Sequence, residues 1–374
     1  MKAPWRLLTD DGAGAGEGLA LDEALMAGYG REAAPRPPTL RLYTYADHAA
    51  LVGRYQHLDA EVDLGACRSL GVQVNGRPTG GGAIIMGRAQ LGVAVVTRAP
   101  AAERPRELLE RFSGGIIAGL GRLGLTAGFR GKNDLEVDGR KIAGLGLYLD
   151  GSGALLFHAS VLADLDIQTM LAVLKVPAAK LGDKAAGLVA ERVTTVSRET
   201  GRDLDGPGLR RVIADGFAEA VGIELTPGEP DALERGHTRH LLASKYGTDE
   251  WLAQRSPQPD ATATAVFKTP AGLVRLYLSM QGETIKSVLF TGDLNDLPAP
   301  LVRLEAALTW KRLEERTLAP LVQAALESDP AADGIEPDAL VAALVEAGTR
   351  ATGRDLAAPN RLGSCYFPEV AAAP

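Results

Sequence analysis

Apolar positions recur at helical spacing near the start of the chain. Leu19, Leu21, Ala24 and Leu25 predict a helix over Glu17–Tyr29, with Glu17, Asp22 and Glu23 in its early turns, where the helix dipole favours them. A Pro-rich connector over 33–38 leads into a period-two pattern, Leu40, Leu42 and Thr44 against Arg41 and Tyr43, which predicts a strand over Thr39–Tyr45. Short apolar runs predict further strands at Ala50–Tyr55, Gly71–Asn75, Ala83–Ile85 and Leu91–Val96, with a helix over His57–Leu70. Pro105–Leu123 gathers Leu108, Leu109, Phe112, Ile116, Ile117 and Leu120 on one broad helical face. Asp138-Gly139 is a strong two-residue turn signal and predicts a hairpin over Leu135–Leu149. A strand over Ala154–Leu162 follows, then helices over Ile167–Leu174 and Gly208–Ala220. Ala190–Val196 reads as an exposed loop that becomes a short strand.

The pattern changes after about Ala220. Thr226–Pro230 and Ser256–Pro259 read as linkers. Beyond them come strands at Ala265–Thr269, Leu273–Met280 and Ile285–Thr291, then helices at Leu301–Glu315, Leu318–Leu326 and Pro337–Ala347. We therefore expect a large unit over 1–250 and a small α+β unit over 260–374. Several strands of the large unit follow one another with no helix between them. That favours α+β with a mixed sheet over a regular βαβ fold.

Composition narrows the function. With 374 residues, 46% hydrophobic and 23% charged, the chain can bury an ordinary core. A net charge of −7 argues against a general nucleic-acid or anionic-membrane binder. Cys67 and Cys365 have neither the spacing of a disulfide framework nor that of a zinc site, which points to a reducing compartment. Cys67 reads as a packed residue. No apolar h-region follows Met1–Trp5 and no apolar run reaches membrane length, so the expected location is cytoplasmic.

The candidate chemistry lies between Gly76 and Lys141. Gly76-Arg77-Pro78-Thr79-Gly80-Gly81-Gly82-Ala83 lets a backbone approach a ligand closely and places a cation beside it. An isolated triple glycine reads more readily as a turn between strands; Arg77, Thr79 and the stiffening Pro78 beside it bring the two readings level. The stretch opens no helix, so it fits neither the dinucleotide fingerprint nor the P-loop. Lys141 follows the Asp138-Gly139 turn and precedes the apolar Ile142, Ala143 and Leu145; a Lys emerging from such a strand is costly without an anion. His158, in Leu155–Ser160, reads as an auxiliary pocket residue or a core histidine with its ring satisfied.

In this order the motifs resemble those of the lipoate–protein ligase family, which is related to biotin ligases and octanoyltransferases. The residues that carry the resemblance are Gly76–Ala83, Asn133-Asp134-Leu135 with Gly139-Arg140-Lys141-Ile142-Ala143-Gly144, and His158–Leu162; Gly53-Arg54-Tyr55-Gln56 and Lys245–Trp251 add to it. It covers about residues 15–255. It implies a mixed-sheet catalytic domain of the biotin/lipoate ligase type with a C-terminal accessory domain that closes over the intermediate, hinged at about 245–262. It also implies ATP and Mg²⁺ as cofactors, lipoate or octanoate as acyl substrate, and an apo lipoyl-domain protein (an H protein, an E2 domain or a lipoate-binding protein) as acceptor for a monomeric enzyme. Carried over residue by residue, Lys141 is catalytic, between the acyl carbonyl and the α-phosphate. Arg77, Gly82, Ala83, Ile84, Ile85, Asn133 and Asp134 join it around ATP. Arg77, Thr79, Gly80, Gly81, Lys141 and His158 meet the acyl chain, and Asp134 lies by the metal.

Departures from the family pattern cluster at the ligand. Gly76 stands where the family has a second Arg, Met86-Gly87 where His-Asp is frequent, and Ala159 where Gly is usual. They suggest a variant branch with altered substrate or partner preference. One alternative is an acyltransferase drawing on acyl carrier protein or another lipoyl protein, but its cysteine-using type needs a thiol just before the Lys hairpin, and Gly128–Asn133 has none. The other is a non-catalytic binding protein on a ligase fold.

Overall fold

The computed structural model describes residues 3–30, 33–34, 36–100, 103–131, 133–175, 191–261, 263–269, 272–294, 299–327 and 334–352. Cys365 and Ala190 lie outside them. The architecture is mixed α+β.

An eight-stranded sheet runs in the order β11-β1-β2-β6-β10-β9-β8-β7. Its strands are β1 (Ala3–Ala13), β2 (Thr39–Tyr45), β6 (Gln90–Arg98), β7 (Gly128–Arg130), β8 (Asp134–Val137), β9 (Arg140–Leu149), β10 (Ala154–Leu162) and β11 (Ile223–Pro227). The β11-β1-β2 edge is parallel and the remaining pairs are antiparallel. A three-stranded sheet, β4-β3-β5, stands beside it, from β3 (Ala49–Val52), β4 (Gln73–Gly76) and β5 (Ile84–Met86). The glycine stretch is the link from β4 to β5.

Alternation along β2 decides what covers each face. Leu40 and Leu42 join Leu91, Val93, Val95, Leu155 and Phe157 under helices α4 (Pro105–Gly121) and α7 (Gly206–Ala220), whose Phe112, Ile116, Leu209, Ile213 and Phe217 are buried against them. Gly216 lets these two helices meet, since a Cβ there would lie 2.3 Å from the Gly115 carbonyl oxygen. The opposite face carries Tyr43, Tyr45, Ala94 and Leu156 beneath Leu19, Leu25 and Met26 of α1 (Ala15–Met26).

Residues 263–347 build an apolar cluster of their own. It joins a sheet of β12 (Ala263–Thr269), β13 (Gly272–Gln281) and β14 (Thr284–Gly292) to helices α10 (Ala299–Leu308), α11 (Glu315–Glu327) and α12 (Pro337–Thr352). This unit touches the glycine loop directly. The Gly81 N–H donates to the Leu294 carbonyl at 2.7 Å, and the Gly292 N–H to the Tyr55 carbonyl at 2.8 Å. Arg275 pairs with the buried Glu61 beside these contacts.

Several local expectations change. Thr226–Pro230 is no linker at its start, because β11 runs through Pro227 and pairs with β1, an edge strand too polar to stand out in the sequence. The expected helix over His57–Leu70 breaks into α2 (Leu58–Glu61) and α3 (Leu64–Leu70), where the Asp63 carboxylate caps α3 by accepting from the Ala66 N–H. Past Ala190, Val193, Thr194 and Thr195 are buried, not exposed; Val193 bridges Lys141 in parallel and α6 (Val196–Thr200) follows. The remaining elements are α5 (Ile167–Val173), α8 (Ala232–Leu241), a π-helical turn over Leu242–Tyr246 and α9 (Asp249–Ala253).

Candidate functional site

The glycine loop is shaped from within. The buried Arg77 guanidinium donates to the carbonyls of Leu51 (3.0 Å), Gly80 (2.9 Å) and Gly82 (2.7 Å). Arg77 lines the cavity, and its fork also grips the loop's own carbonyls and braces the loop. Gly53 completes the shape, because a Cβ there would fall 2.0 Å from the Gly81 carbonyl oxygen, and Gly81 itself has φ +91°. Gly76 is explained by a neighbour in the same way. The Trp251 indole N–H donates to the Gly76 carbonyl at 2.8 Å, and a Cβ on Gly76 would lie 3.1 Å from that nitrogen. The indole stands where a second Arg side chain would begin.

Facing the loop, the β8–β9 hairpin presents Lys141. Its turn is the expected one, with Asp138 at φ 49° and Gly139 at φ 74°. The Lys141 ammonium sits 2.7 Å from an Asp134 carboxylate oxygen, both side chains partly exposed. It lies over Gly144, where a Cβ would come within 3.2 Å of Nζ. Gly146, two residues on, leaves room for Thr79 in the same way. Register carries this row across the sheet: Asp134 faces Gly144, Gly144 faces Ser160, Ser160 faces Gly92, and Gly92 faces Tyr43. Small residues therefore clear a path from Lys141 to Tyr43.

His158 flanks that path, opposite Gly146. Its Nε2 is 2.7 Å from Asp22 Oδ2, and the other Asp22 oxygen accepts from Arg41 at 2.6 Å. Arg41 and Asp22 have no exposed side-chain surface. Burial pushes the Asp22 carboxyl up, but the Arg41 charge and then His158 outweigh it and hold it below the usual range. Burial works against the Arg41 cation as well, and Asp22 and Asp10 more than restore it.

These parts converge on a cavity of about 1140 Å³, counted out to its open mouth. Its polar lining includes Arg77, Thr79, Asn133, Asp134, Lys141 and His158; Gly80, Gly81, Gly82, Ile84 and Ile85 form one wall. Ala83 is not on that wall and is buried with Ala50, Val52 and Cys67. One apolar side of the cavity is Leu19, Tyr43, Leu51 and Met86, the other Ile85, Met170 and Val193. The glycine cradle, the Lys141 ammonium and these walls fit a ligand that is anionic at its centre and apolar towards its ends. For Mg²⁺, Asp134 and Asp293 are the lining carboxylates, and no group of three ligating side chains exists among the described residues. That fits a metal held chiefly by phosphate oxygens with carboxylate support.

The sequence reading missed Asp22, Asp293 and Trp251. Asp22 was read only as one of the acidic residues that suit the helix dipole. Asp293 enters the cavity only because the C-terminal unit folds onto the loop. Trp251 lay within a recognised motif, but its link to Gly76 spans 175 residues.

Comparison with known proteins gives a consistent result. Residues 15–218 match the family model described as the lipoyl protein ligase A/B catalytic domain. An octanoyltransferase LipM from Symbiobacterium thermophilum is 31% identical over 67% of this chain and 98% of its own length. Among solved structures, a bi-partite lipoate protein ligase from Thermoplasma acidophilum is 28% identical, with a TM-score of 0.62 over 69% of this chain and all of its own. A lipoate-protein ligase A bound with ATP is 27% identical, with a TM-score of 0.59 over 67% of this chain and 98% of its own.

Proposed function

The chain belongs to the lipoyl protein ligase A/B catalytic family, and on that premise we propose that it is an ATP-dependent lipoate–protein ligase. It would join lipoate or octanoate to AMP and then to a lysine of a lipoyl-domain protein. The observation that carries this reading is Lys141, held over Gly144 in the same cavity as the glycine loop, with apolar walls to either side.

The chemistry follows from that placement. A carboxylate oxygen of the fatty acid attacks the α-phosphorus of ATP, and pyrophosphate leaves. The Lys141 ammonium stabilises charge building on the phosphate oxygens, and then on the acyl centre when the acceptor amine attacks and AMP departs. Asp134 orients Lys141 through the 2.7 Å ion pair. Arg77 acts as a positioning residue that keeps the loop carbonyls turned inward. Gly82, Ile84 and Ile85 border the nucleotide, with Asn133 near the phosphates, while Thr79, Gly80, Gly81 and His158 border the acyl chain. When bound, Mg²⁺ would neutralise phosphate charge, with Asp134 as its protein carboxylate. The unit beyond residue 260 closes the cavity by placing Asp293 and Leu294 against the loop.

A thioester-forming acyltransferase is the competing reading, favoured by the name of the Symbiobacterium relative. It requires an activated thiol. Cys67 is buried in an apolar cluster, and burial pushes its thiol up. Gly128–Asn133, next to the hairpin, carries no cysteine. The test is to incubate the full chain with ATP, Mg²⁺, lipoate and an apo lipoyl domain and to weigh the domain by mass spectrometry. A gain of one lipoyl group that depends on ATP is expected. Labelling that ignores ATP and requires octanoyl-acyl carrier protein would establish the transferase instead.

A further inference from the structure

The strand that carries Lys141 is irregular at one point. Asp134 faces Gly144 and Leu135 faces Ala143, but Glu136 faces Lys141 and Val137 faces Arg140. β9 therefore spends one more residue than β8 between these pairs, and Ile142, buried in the core beneath α4, is the one left over. This bulge decides where the ammonium goes. In a regular strand, residues three apart face opposite sides of the sheet, and Lys141 would point away from Gly144. The extra residue restores the parity, so that Lys141 Nζ lies over Gly144 and in the cavity.

A bulge takes main-chain groups out of the ladder, and here a second segment takes them up. Lys141 forms a parallel bridge with Val193, and its carbonyl accepts from the Thr194 N–H at 2.8 Å. Glu199, on α6, then ties that segment to the hairpin. Its carboxylate accepts from the Thr194 hydroxyl and pairs with the Arg140 guanidinium at 2.9 Å. Thr194 is buried, and Arg140 and Glu199 are partly so. The start of α6 is itself fixed: the Thr195 hydroxyl accepts from the Arg198 N–H at 3.2 Å, and the Thr195 carbonyl from the Glu199 N–H at 3.0 Å. One carboxylate thus holds both the residue before Lys141 and the residue bonded to the Lys141 carbonyl. Charge-assisted bonds in a shared network fix geometry more firmly than separate ones.

Resting on the reading of Lys141 as the catalytic group, we propose that Glu199 is a positioning residue: by clasping Arg140 and Thr194 it secures the bulge that aims Lys141 into the cavity. Val193, the next residue along, lines the cavity, so one short segment both borders the ligand and holds the lysine. Glu199 stands behind the hairpin and acts only through it.

Variants of the full chain test this. Glu199→Ala should lower kcat for lipoate-dependent pyrophosphate release about tenfold, because a reacting group moved by a fraction of an ångström loses much of its effect. KM for ATP and for lipoate should change by less than about twofold. Glu199→Gln, whose amide oxygen still accepts from Thr194 and Arg140, should recover most of the rate. In a Lys141→Ala background, Glu199→Ala should lower the residual rate no further. An unchanged kcat in Glu199→Ala, or the same fold-loss with Lys141 already removed, overturns the proposal. A second measurement does not depend on the reaction. Lysines are methylated with ¹³C-formaldehyde and observed by NMR, the Lys141 signal being the one that Lys141→Ala removes. Glu199→Ala should shift that signal and leave the other lysine signals in place; an unmoved Lys141 signal contradicts the clasp. If the wild-type protein releases no pyrophosphate with lipoate, the ligase reading fails, and the Lys141 signal alone decides the role of Glu199.

Discussion

The glycine loop and the Lys141 hairpin face each other across one cavity but are held by opposite means. The loop has no regular structure, so interactions aimed at its main chain maintain it: the Arg77 fork on three carbonyls, Gly53 beneath Gly81, the Trp251 indole on Gly76 and the Leu294 carbonyl on the Gly81 N–H. The hairpin is held by sheet register, and Lys141 pairs with the Asp134 carboxylate at 2.7 Å. One side supplies shape and the other charge. It follows that changes at the loop should act through binding and stability, whereas a change at Lys141 should act on the reaction.

Lys141→Ala tests the charge side and carries the largest effect. Lipoate-dependent pyrophosphate release should fall by about 10²–10³-fold with the thermal midpoint unchanged. Native-rate release by this variant would remove Lys141 from the chemistry. Gly53→Ala tests the shape side. Its Cβ meets a backbone oxygen at 2.0 Å, so loop or strand must shift, and chemical denaturation should show a loss of about 1–3 kcal/mol. A fully stable, fully active variant would show that the loop is not wedged.

Arg77→Lys separates bracing from phosphate binding. A lysine keeps the charge but cannot fork to three carbonyls, so KM for both ATP and lipoate should rise, by about tenfold. If KM for ATP alone rises, the side chain serves phosphate after all. Trp251→Phe should have the smallest effect: loss of the 2.8 Å bond to Gly76 should cost about 1 kcal/mol, read as a lower unfolding midpoint in urea with kcat retained. A drop in kcat would tie the indole to the chemistry.

The legibility of the molecule divides along the same line. The hairpin could be read residue by residue, because Asp138-Gly139 fixes a local turn and alternation does the rest. The strand over Ala154–Leu162 was equally legible from its apolar run. The loop's glycines were visible, but their reasons were not, since each depends on a partner distant in the sequence: Gly76 on Trp251, Gly53 on Gly81. Arg77 was placed at the site, but its bonds to three carbonyls were not foreseen, because a sequence shows a cation beside glycines but not which main-chain oxygens it will meet. Asp22 was hidden for a related reason. The apolar pattern gave Asp22 only a place in a helix, and the buried Arg41 and His158 opposite reveal its use.

The most direct test of the central claim is a single turnover without acceptor. Enzyme is mixed with ATP, Mg²⁺ and limiting lipoate, quenched in acid, and both the small molecules and the intact protein are weighed. The account predicts lipoyl-adenylate and pyrophosphate in equal amounts and protein of unchanged mass. No adenylate from lipoate, together with a protein that octanoyl-acyl carrier protein makes heavier by one thioester-linked octanoyl group, would contradict it.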